Sequence, residues 1–189
     1  MSVHNLFVTL GASNHSKGER QLEDYYATEP KAVTLLLEEE TFTKNVLECC
    51  CGEGHISKVL EDANYQVVSI DKYNRGFGEV CDFFDLREWE GDIVSNPPYK
   101  NALEFVKHSL EIIPKGNKVA MLLRIQFLEG KERRKFFNEN PPKIIYVASG
   151  RLECAKNGDF EGMGSSAQAY AWFIWEKGFK GDPIIKWIN

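Results

Sequence analysis

The order of apolar and polar positions along the chain predicts strands and helices in alternation. Short apolar runs, among them NVLE, VVSI, DIVS, KVAMLL and KIIYVA, have the length and β-branched content of buried strands. Between them, PKAVTLLLEEE, HISKVLEDAN, NALEFVKHSLEII and KERRKFFNEN carry apolar residues at helical spacing. Strands that alternate with helices pair in parallel, so we expect an α/β sandwich with a mostly parallel, seven-stranded sheet. AYAWFIWEKG and PIIKWI follow one another without a helix, which predicts an antiparallel C-terminal hairpin.

Length and composition favour one soluble globular domain. The chain has 189 residues, 43% of them apolar, which suffices for one core. Residues 1–20 show no periodicity and are predicted to form a flexible N-terminal arm, followed by a single domain over 21–189. No apolar run approaches about 18 residues, so no membrane span is expected. Nothing resembles a secretory signal, and the five cysteines are odd in number with three adjacent, which indicates a reducing, cytoplasmic location.

The net charge of −5 conceals an uneven distribution along the chain. Residues 1–99 hold 8 Lys and Arg against 18 Asp and Glu, whereas residues 100–151 hold 11 against 5. The whole chain therefore lacks the charge of a nucleic-acid-binding protein, but its middle third is locally basic. The KERRKFF segment is either part of a nucleic-acid-binding surface or a solvated helix face.

A glycine turn follows the first predicted strand, in LECCCGEGH. Gly52 and Gly54 allow a ligand to approach the backbone closely, but Ser57 stands where a dinucleotide fingerprint would have its third glycine. Asp71 ends the next strand, where a carboxylate can accept hydrogen bonds from both hydroxyls of a ribose. The pattern favours a nucleoside site; the alternatives are a plain βα turn and a helix N-cap.

A second acidic position follows in CDFFDL. Asp82 ends what is predicted as a third short strand, and could accept a hydrogen bond from an exocyclic amine while Phe83 packs on a purine ring. The alternative is a solvated turn acid beside a core phenylalanine.

The cysteines do not form a metal-binding pattern. Structural zinc sites pair their thiolates at short spacings, whereas here Cys81 and Cys154 are isolated and the other three are adjacent. We therefore expect buried structural thiols and no metal.

The tetrapeptide NPPY directly follows the strand DIVS. An amine conjugated to a ring or a carbonyl is a poor nucleophile, because its lone pair is delocalised. The side-chain carbonyl of Asn96 and the backbone carbonyl of Pro97 could accept its two N–H groups, and the rigid prolines would preorganise those acceptors. Tyr99 would stack on the planar group that carries the amine. A stiff turn without chemistry is the alternative.

Taken together, these motifs resemble the amino-methyltransferases that use S-adenosylmethionine, most members of which methylate N6 of adenine in DNA. The resemblance covers roughly residues 22–175. Within this family, the chain is similar to the compact bacterial and phage members, and this implies a Rossmann-like class I fold. It implies a catalytic loop of Asn96, Pro97, Pro98 and Tyr99. It implies a cofactor site formed by Tyr26, Ala27, Thr28, Glu48, Gly52, Gly54, Asp71, Lys72, Asp82, Phe83 and Asn96.

The resemblance leaves the substrate open, because the chain has no length for a separate target-recognition domain. Adenine N6 in DNA is the leading expectation, followed by adenine in RNA, a glutamine side chain of a protein, and a non-catalytic subunit. Sequence specificity would then be slight, and would come from loops such as 124–135 and 151–168 or from a partner or second subunit, for example in a homodimer. Basic residues would bind phosphates, and the glycine-rich segment 151–168 would close over a flipped base. The candidate phosphate ligands are Lys100, Arg124, Lys131, Arg133, Arg134 and Lys135.

Overall fold

The computed structural model describes residues 26–152, 154–156 and 168–189. The predicted arm over 1–20, and most of the predicted closing segment, lie outside these residues. Four α-helices are present: α1 (Pro30–Glu39), α2 (His55–Asp62), α3 (Ala102–Ile112) and α4 (Lys131–Glu139). The strands are β1 (Tyr26–Thr28), β2 (Asn45–Glu48), β3 (Gln66–Asp71), β4 (Glu79–Val80), β5 (Asp92–Ser95), β6 (Lys118–Arg124), β7 (Ile144–Ala148), β8 (Cys154–Lys156), β9 (Tyr170–Glu176) and β10 (Ile184–Ile188).

Eight of these strands form one sheet in the order β4-β3-β2-β5-β6-β9-β7-β10. Neighbouring strands from β4 to β6 pair in parallel, as do β7 and β10. Among the described strands of this sheet, only β9 runs against its neighbours, pairing antiparallel with both β6 and β7. The α/β, mostly parallel prediction is confirmed.

Two details of the sheet differ from the prediction. The sheet formed by the described residues has eight strands instead of the seven predicted. The predicted hairpin is wrong, since β9 and β10 do not pair and β7 lies between them. Local apolar runs identify both strands, but they carry no information about which neighbour each strand selects.

Helices cover both faces of the sheet, and the alternation of side chains along the strands divides the core in two. On β6, Met121 and Leu123 join a cluster with α3, whereas Ala120 and Leu122 join a second cluster with α1 and α2. The larger side chains of β9 also alternate between the two clusters, with Phe173 in the first cluster. The resulting three layers hold the parallel strands in place from both sides.

The carboxyl ends of β2, β3, β5 and β6 share one edge of the sheet, as expected for parallel strands. A separate two-stranded sheet, formed by β1 and β8, pairs Thr28 with Cys154. This small sheet contributes side chains to the same edge, where Asn96 contacts Tyr26 and Thr28.

None of the helices in the described part of the chain has both the length and the apolar content needed to cross a lipid bilayer.

Candidate functional site

A cavity of about 240 Å³ opens at the carboxyl edge of the parallel strands. Its wall brings together residues that are up to 79 positions apart, from Tyr26 to Phe105. Seven of the predicted site residues line it directly: Tyr26, Asp71, Lys72, Asp82, Phe83, Asn96 and Pro98. A small adjoining cavity is lined by Ala27, Thr28 and Glu48, and shares Tyr26, Cys50 and Asn96 with the larger one.

Asn96 lies at the junction of the two cavities, one residue beyond β5. Its Nδ2 donates to the backbone oxygen of Tyr26 at 3.0 Å and to Oγ1 of Thr28 at 2.9 Å. Its Oδ1 is buried and has no hydrogen-bond partner among the described residues. Both donors of the amide are therefore satisfied by the protein, while the acceptor is left for a ligand that brings an N–H or O–H group.

The two prolines after Asn96 place their carbonyls differently. The oxygen of Pro98 accepts the backbone N–H of Asn101 at 3.0 Å and thereby closes the 3₁₀ turn Tyr99–Asn101. Within the described residues, no hydrogen bond to the oxygen of Pro97 is found. The loop thus has a second possible acceptor, the backbone carbonyl of the residue after Asn96, on a segment whose φ angles are fixed.

The glycine turn and the β3 carboxylate are joined by direct hydrogen bonds. Oδ2 of Asp71 accepts from the backbone N–H of Gly52 at 3.0 Å, and Oδ1 accepts from that of Tyr73 at 2.9 Å. A carboxylate has about four acceptor positions, so two remain for ligand hydroxyls. Gly54 has φ +83°, and a Cβ there would lie 2.6 Å from the Phe77 ring. This close approach explains why the turn needs glycine.

Glu48 is fully buried at the end of β2. Its Oε1 accepts from Oγ of Ser95 at 2.5 Å and from the backbone N–H of Cys50 at 3.2 Å. Its Oε2 is buried without a partner among the described residues. Burial raises the pKa of Glu48 to about 8, against the smaller opposing effect of the two hydrogen bonds. A cationic donor at Oε2 would stabilise the ionised carboxylate.

Asp82 and Phe83 line the cavity, but their local structure differs from the prediction. The predicted strand ends at Val80, and Asp82 caps a short 3₁₀ helix by accepting the N–H of Phe84 at 3.1 Å. Asp82 also pairs with Lys72 at 2.9 Å, and this hydrogen bond raises the pKa of Lys72. Phe83 is buried and stacks on Phe105 at 5.3 Å, with 11° between the ring planes. The pair forms an apolar wall of the cavity.

Tyr99 does not line the larger cavity, and its ring packs among other aromatic rings. Its centroid lies 5.6 Å from that of Tyr26 and 5.8 Å from that of Tyr170. The guanidinium carbon of Arg124 lies 4.4 Å from the Tyr99 centroid. Burial raises the pKa of the Tyr99 hydroxyl far above its usual range, so Tyr99 stays neutral.

The six predicted phosphate ligands fall into two groups. Lys100, Lys131, Arg134 and Lys135 are exposed. Arg124 instead covers Tyr99, and Arg133 donates to the backbone oxygens of Glu129 and Gln126. The guanidinium of Arg133 also lies 5.4 Å from the Phe127 ring. The structure thus places two of the six in contacts within the protein.

Several residues in or beside the cavities were not identified from the sequence. Ser95 orders Glu48 from the neighbouring strand, and its position directly before Asn96 is the only local signal for it. Tyr73 and Arg75 line the cavity in the loop after Asp71, with the Arg75 guanidinium carbon 5.8 Å from the Tyr73 ring. Their place after a strand that ends in the ribose-type acid could have indicated them.

The cysteines are free thiols, most of them buried. Burial raises the pKa of Cys51 to about 12 and that of Cys81 to about 11, so both remain protonated. Among the residues that the structure describes, no group of three or more histidine, cysteine or acidic side chains is arranged to hold a metal ion.

No protein-family model matches the sequence, and no curated protein matches it. Solved structures do resemble the fold. A protein from Pyrococcus horikoshii named "putative RNA methyltransferase" superposes with a TM-score of 0.60 at 14% identity, covering 92% of this chain and 97% of its own. The methyltransferase subunit of a type I restriction-modification system from Streptococcus thermophilus also gives 0.60, at 11% identity and 88% coverage of this chain. An S-adenosylmethionine-dependent O-methyltransferase from Thermotoga maritima gives 0.53 at 14% identity, covering 81% of this chain and 67% of its own.

The chain therefore has the Rossmann-like fold of class I methyltransferases. It spans about half the length of the restriction-modification subunit, 48% of which is covered. The three structures are named for different substrates, so the shared fold does not select among them.

Proposed function

We propose that this protein is an S-adenosylmethionine-dependent methyltransferase that acts on the exocyclic N6 amine of adenine in nucleic acid, with DNA preferred over RNA. The observation that carries the proposal is the buried Oδ1 of Asn96, which has no hydrogen-bond partner among the described residues and belongs to a side chain that lines both cavities. An amine with two N–H groups requires two acceptors, and the backbone carbonyl of the next residue, Pro97, would be the second.

The cavity residues fit the proposed cofactor. Asp71 retains acceptor capacity for two ribose hydroxyls, and Phe83 with Phe105 offers an apolar wall for an adenine ring. Glu48 has a buried oxygen that needs a donor, which the α-ammonium group of the methionine part would supply. When bound, S-adenosylmethionine supplies an electrophilic methyl group on a sulfonium.

The residues of this chain would then orient the acceptor amine. Tyr26 and Thr28 hold the Asn96 amide so that Oδ1 faces the site. Oδ1 and the Pro97 carbonyl each accept one N–H of the amine, which draws its nitrogen towards tetrahedral geometry and frees the lone pair for attack. Because these groups are fixed before substrate binds, little reorganisation is needed during the reaction.

The basic residues at the same edge support a nucleic-acid substrate. Lys100 belongs to the loop that carries Asn96, and α4 presents exposed Lys131, Arg134 and Lys135. Such side chains would contact phosphates, so binding should weaken steeply with salt. The names of two similar folds, an RNA methyltransferase and a DNA restriction-modification subunit, agree with this substrate class.

The experiment is methyl transfer from labelled S-adenosylmethionine to DNA, RNA and a translation release factor. We expect incorporation into DNA, and its loss when every adenine is already methylated at N6. Asn96→Ala should reduce turnover by at least about 100-fold while leaving cofactor affinity nearly unchanged. Asn117→Ala, at the opposite edge of the sheet, is the matched control and should retain activity. Wild-type turnover in Asn96→Ala would refute the mechanism, and methylation of the protein alone would refute the substrate.

A further inference from the structure

Arg124 ends β6 at the edge of the sheet that carries the site, and its side chain points inward. The guanidinium carbon lies 4.4 Å from the centroid of Tyr99 and 5.8 Å from that of Tyr26. Its Nε is buried and has no hydrogen-bond partner among the described residues. Arg124 as a whole is half-buried. The two ring contacts and the buried Nε are not needed for phosphate binding, so they argue for a different role.

The contacts of Arg124 connect it to the proposed catalytic acceptor. Tyr99 belongs to the loop of Asn96, and its ring is surrounded by Arg124, Tyr26 and Tyr170. The backbone oxygen of Tyr26 in turn accepts from Nδ2 of Asn96 at 3.0 Å. The guanidinium of Arg124 therefore restrains the loop at two points. It contacts the ring of Tyr99 directly, and it contacts the ring of Tyr26, whose backbone oxygen holds the Asn96 amide.

We propose that Arg124 is a positioning residue, which fixes the ring of Tyr99 and the adjoining Asn96 acceptor through its guanidinium, and that it is not a phosphate ligand. The effect of Arg124 on the reaction rate rests on the proposed methyl transfer. Its effect on the position of the Tyr99 ring does not depend on the substrate. The phosphate contacts then fall to the exposed residues Lys100, Lys131, Arg134 and Lys135.

The test compares Arg124→Met, which keeps the apolar stem, with Arg124→Lys, which keeps the charge but loses the planar group. Arg134→Met, at one of the proposed phosphate contacts on α4, is the comparison for the salt dependence. Arg87→Met, at an exposed position outside the proposed site, is the matched control. For each variant, kcat, KM and the salt dependence of binding to an adenine-containing oligonucleotide are measured. Cofactor affinity and thermal unfolding confirm that each variant is folded.

Arg124→Met should lower kcat by about 2- to 30-fold, the range that corresponds to a cation–π contact between its exposed and desolvated limits. Arg124→Lys should restore part of the loss. The slope of log affinity against log salt should stay at its wild-type value in both variants. In Arg134→Met, the slope should become shallower by about 0.7 to 0.9, since one phosphate contact is removed. In Arg87→Met, kcat and the slope should both stay at their wild-type values. Wild-type kcat in Arg124→Met, or a slope changed as in Arg134→Met, would overturn the proposal.

A second measurement decides the structural part even if the wild-type protein methylates none of the substrates offered. With fluorotyrosine incorporated, the ¹⁹F resonance of Tyr99 can be assigned from Tyr99→Phe. Arg124→Met should shift and narrow this resonance, because the ring loses the cation on its face and gains motion, whereas Arg134→Met should leave it unchanged. An unaltered Tyr99 resonance in Arg124→Met would refute the positioning role. Failure of methyl transfer in the wild-type protein would refute only the proposed function.

Discussion

Glu48 gives the sharpest prediction about stability, because it is a carboxyl group buried with one unpartnered oxygen. In the folded protein its pKa is raised from 4.5 to about 8, chiefly through burial. Below about pH 4.5 the group is protonated in both the folded and the unfolded state, and the folded state keeps its full stability. As the pH rises towards 8, the unfolded chain ionises first, so folding becomes less favourable.

The size of the effect follows from the two pKa values. At about 1.36 kcal/mol per pKa unit, the difference between 4.5 and about 8 corresponds to roughly 5 kcal/mol. Between about pH 5 and about pH 8, Glu48 alone should reduce the free energy of unfolding by roughly 4 kcal/mol. Above about pH 8 its contribution should become constant.

Glu48→Gln removes this titration and keeps the shape of the side chain. Its amide places an N–H group at the unpartnered position, which costs about 1 to 3 kcal/mol at every pH, so the diagnostic quantity is the slope with pH. Urea unfolding of the protein without cofactor at several pH values provides the measurement. From about pH 5 to about pH 8, the unfolding free energy of the variant minus that of the wild type should increase by roughly 4 kcal/mol.

Glu88→Gln, at an exposed position, is the matched control and should follow the wild-type curve. If Glu48→Gln and the wild-type protein show parallel curves, then Glu48 is not protonated in the folded protein at neutral pH, and the reasoning from burial fails.

Two further changes probe the cavity wall. Asp71→Ala should weaken S-adenosylmethionine binding in calorimetry by at least about tenfold, because ribose hydroxyls would lose a charged acceptor; unchanged affinity would remove Asp71 from the proposed site. Gly54→Ala should lower the free energy of unfolding by roughly 1 to 3 kcal/mol, since φ is +83° and the new Cβ would lie 2.6 Å from the Phe77 ring. A stability within about 0.5 kcal/mol of wild type would show that the turn adapts without strain.

The sequence was sufficient to predict that several candidate site residues meet at one edge of the sheet. Parallel strands bring their carboxyl ends to one edge, so Asp71 and Asn96 could be expected together although Asp71 ends β3 and Asn96 follows β5. Asp71 does contact the glycine turn, through the N–H of Gly52. Local apolar patterns also predicted the four helices, because each has one buried face.

Contacts between segments that are far apart along the chain could not be predicted from local sequence patterns. The partners of the Asn96 amide lie 68 and 70 residues away in the chain, and their register depends on the pairing of β1 with β8. Arg124 was expected to face phosphate because of its charge, and only the packed structure shows the aromatic ring beneath it. The position of β9 between β6 and β7 was missed for the same reason.

That position of β9 has a consequence for how the protein is made. Strands β6 and β7 are synthesised well before Tyr170–Glu176, yet they do not touch each other in the sheet, and β9 is the strand that joins them. Its side chains from Tyr170 to Trp175 are buried on both faces. Until β9 leaves the ribosome, the nascent chain exposes two unpaired strand edges in the centre of its future sheet. This interval is when the chain is most open to aggregation and most dependent on chaperones.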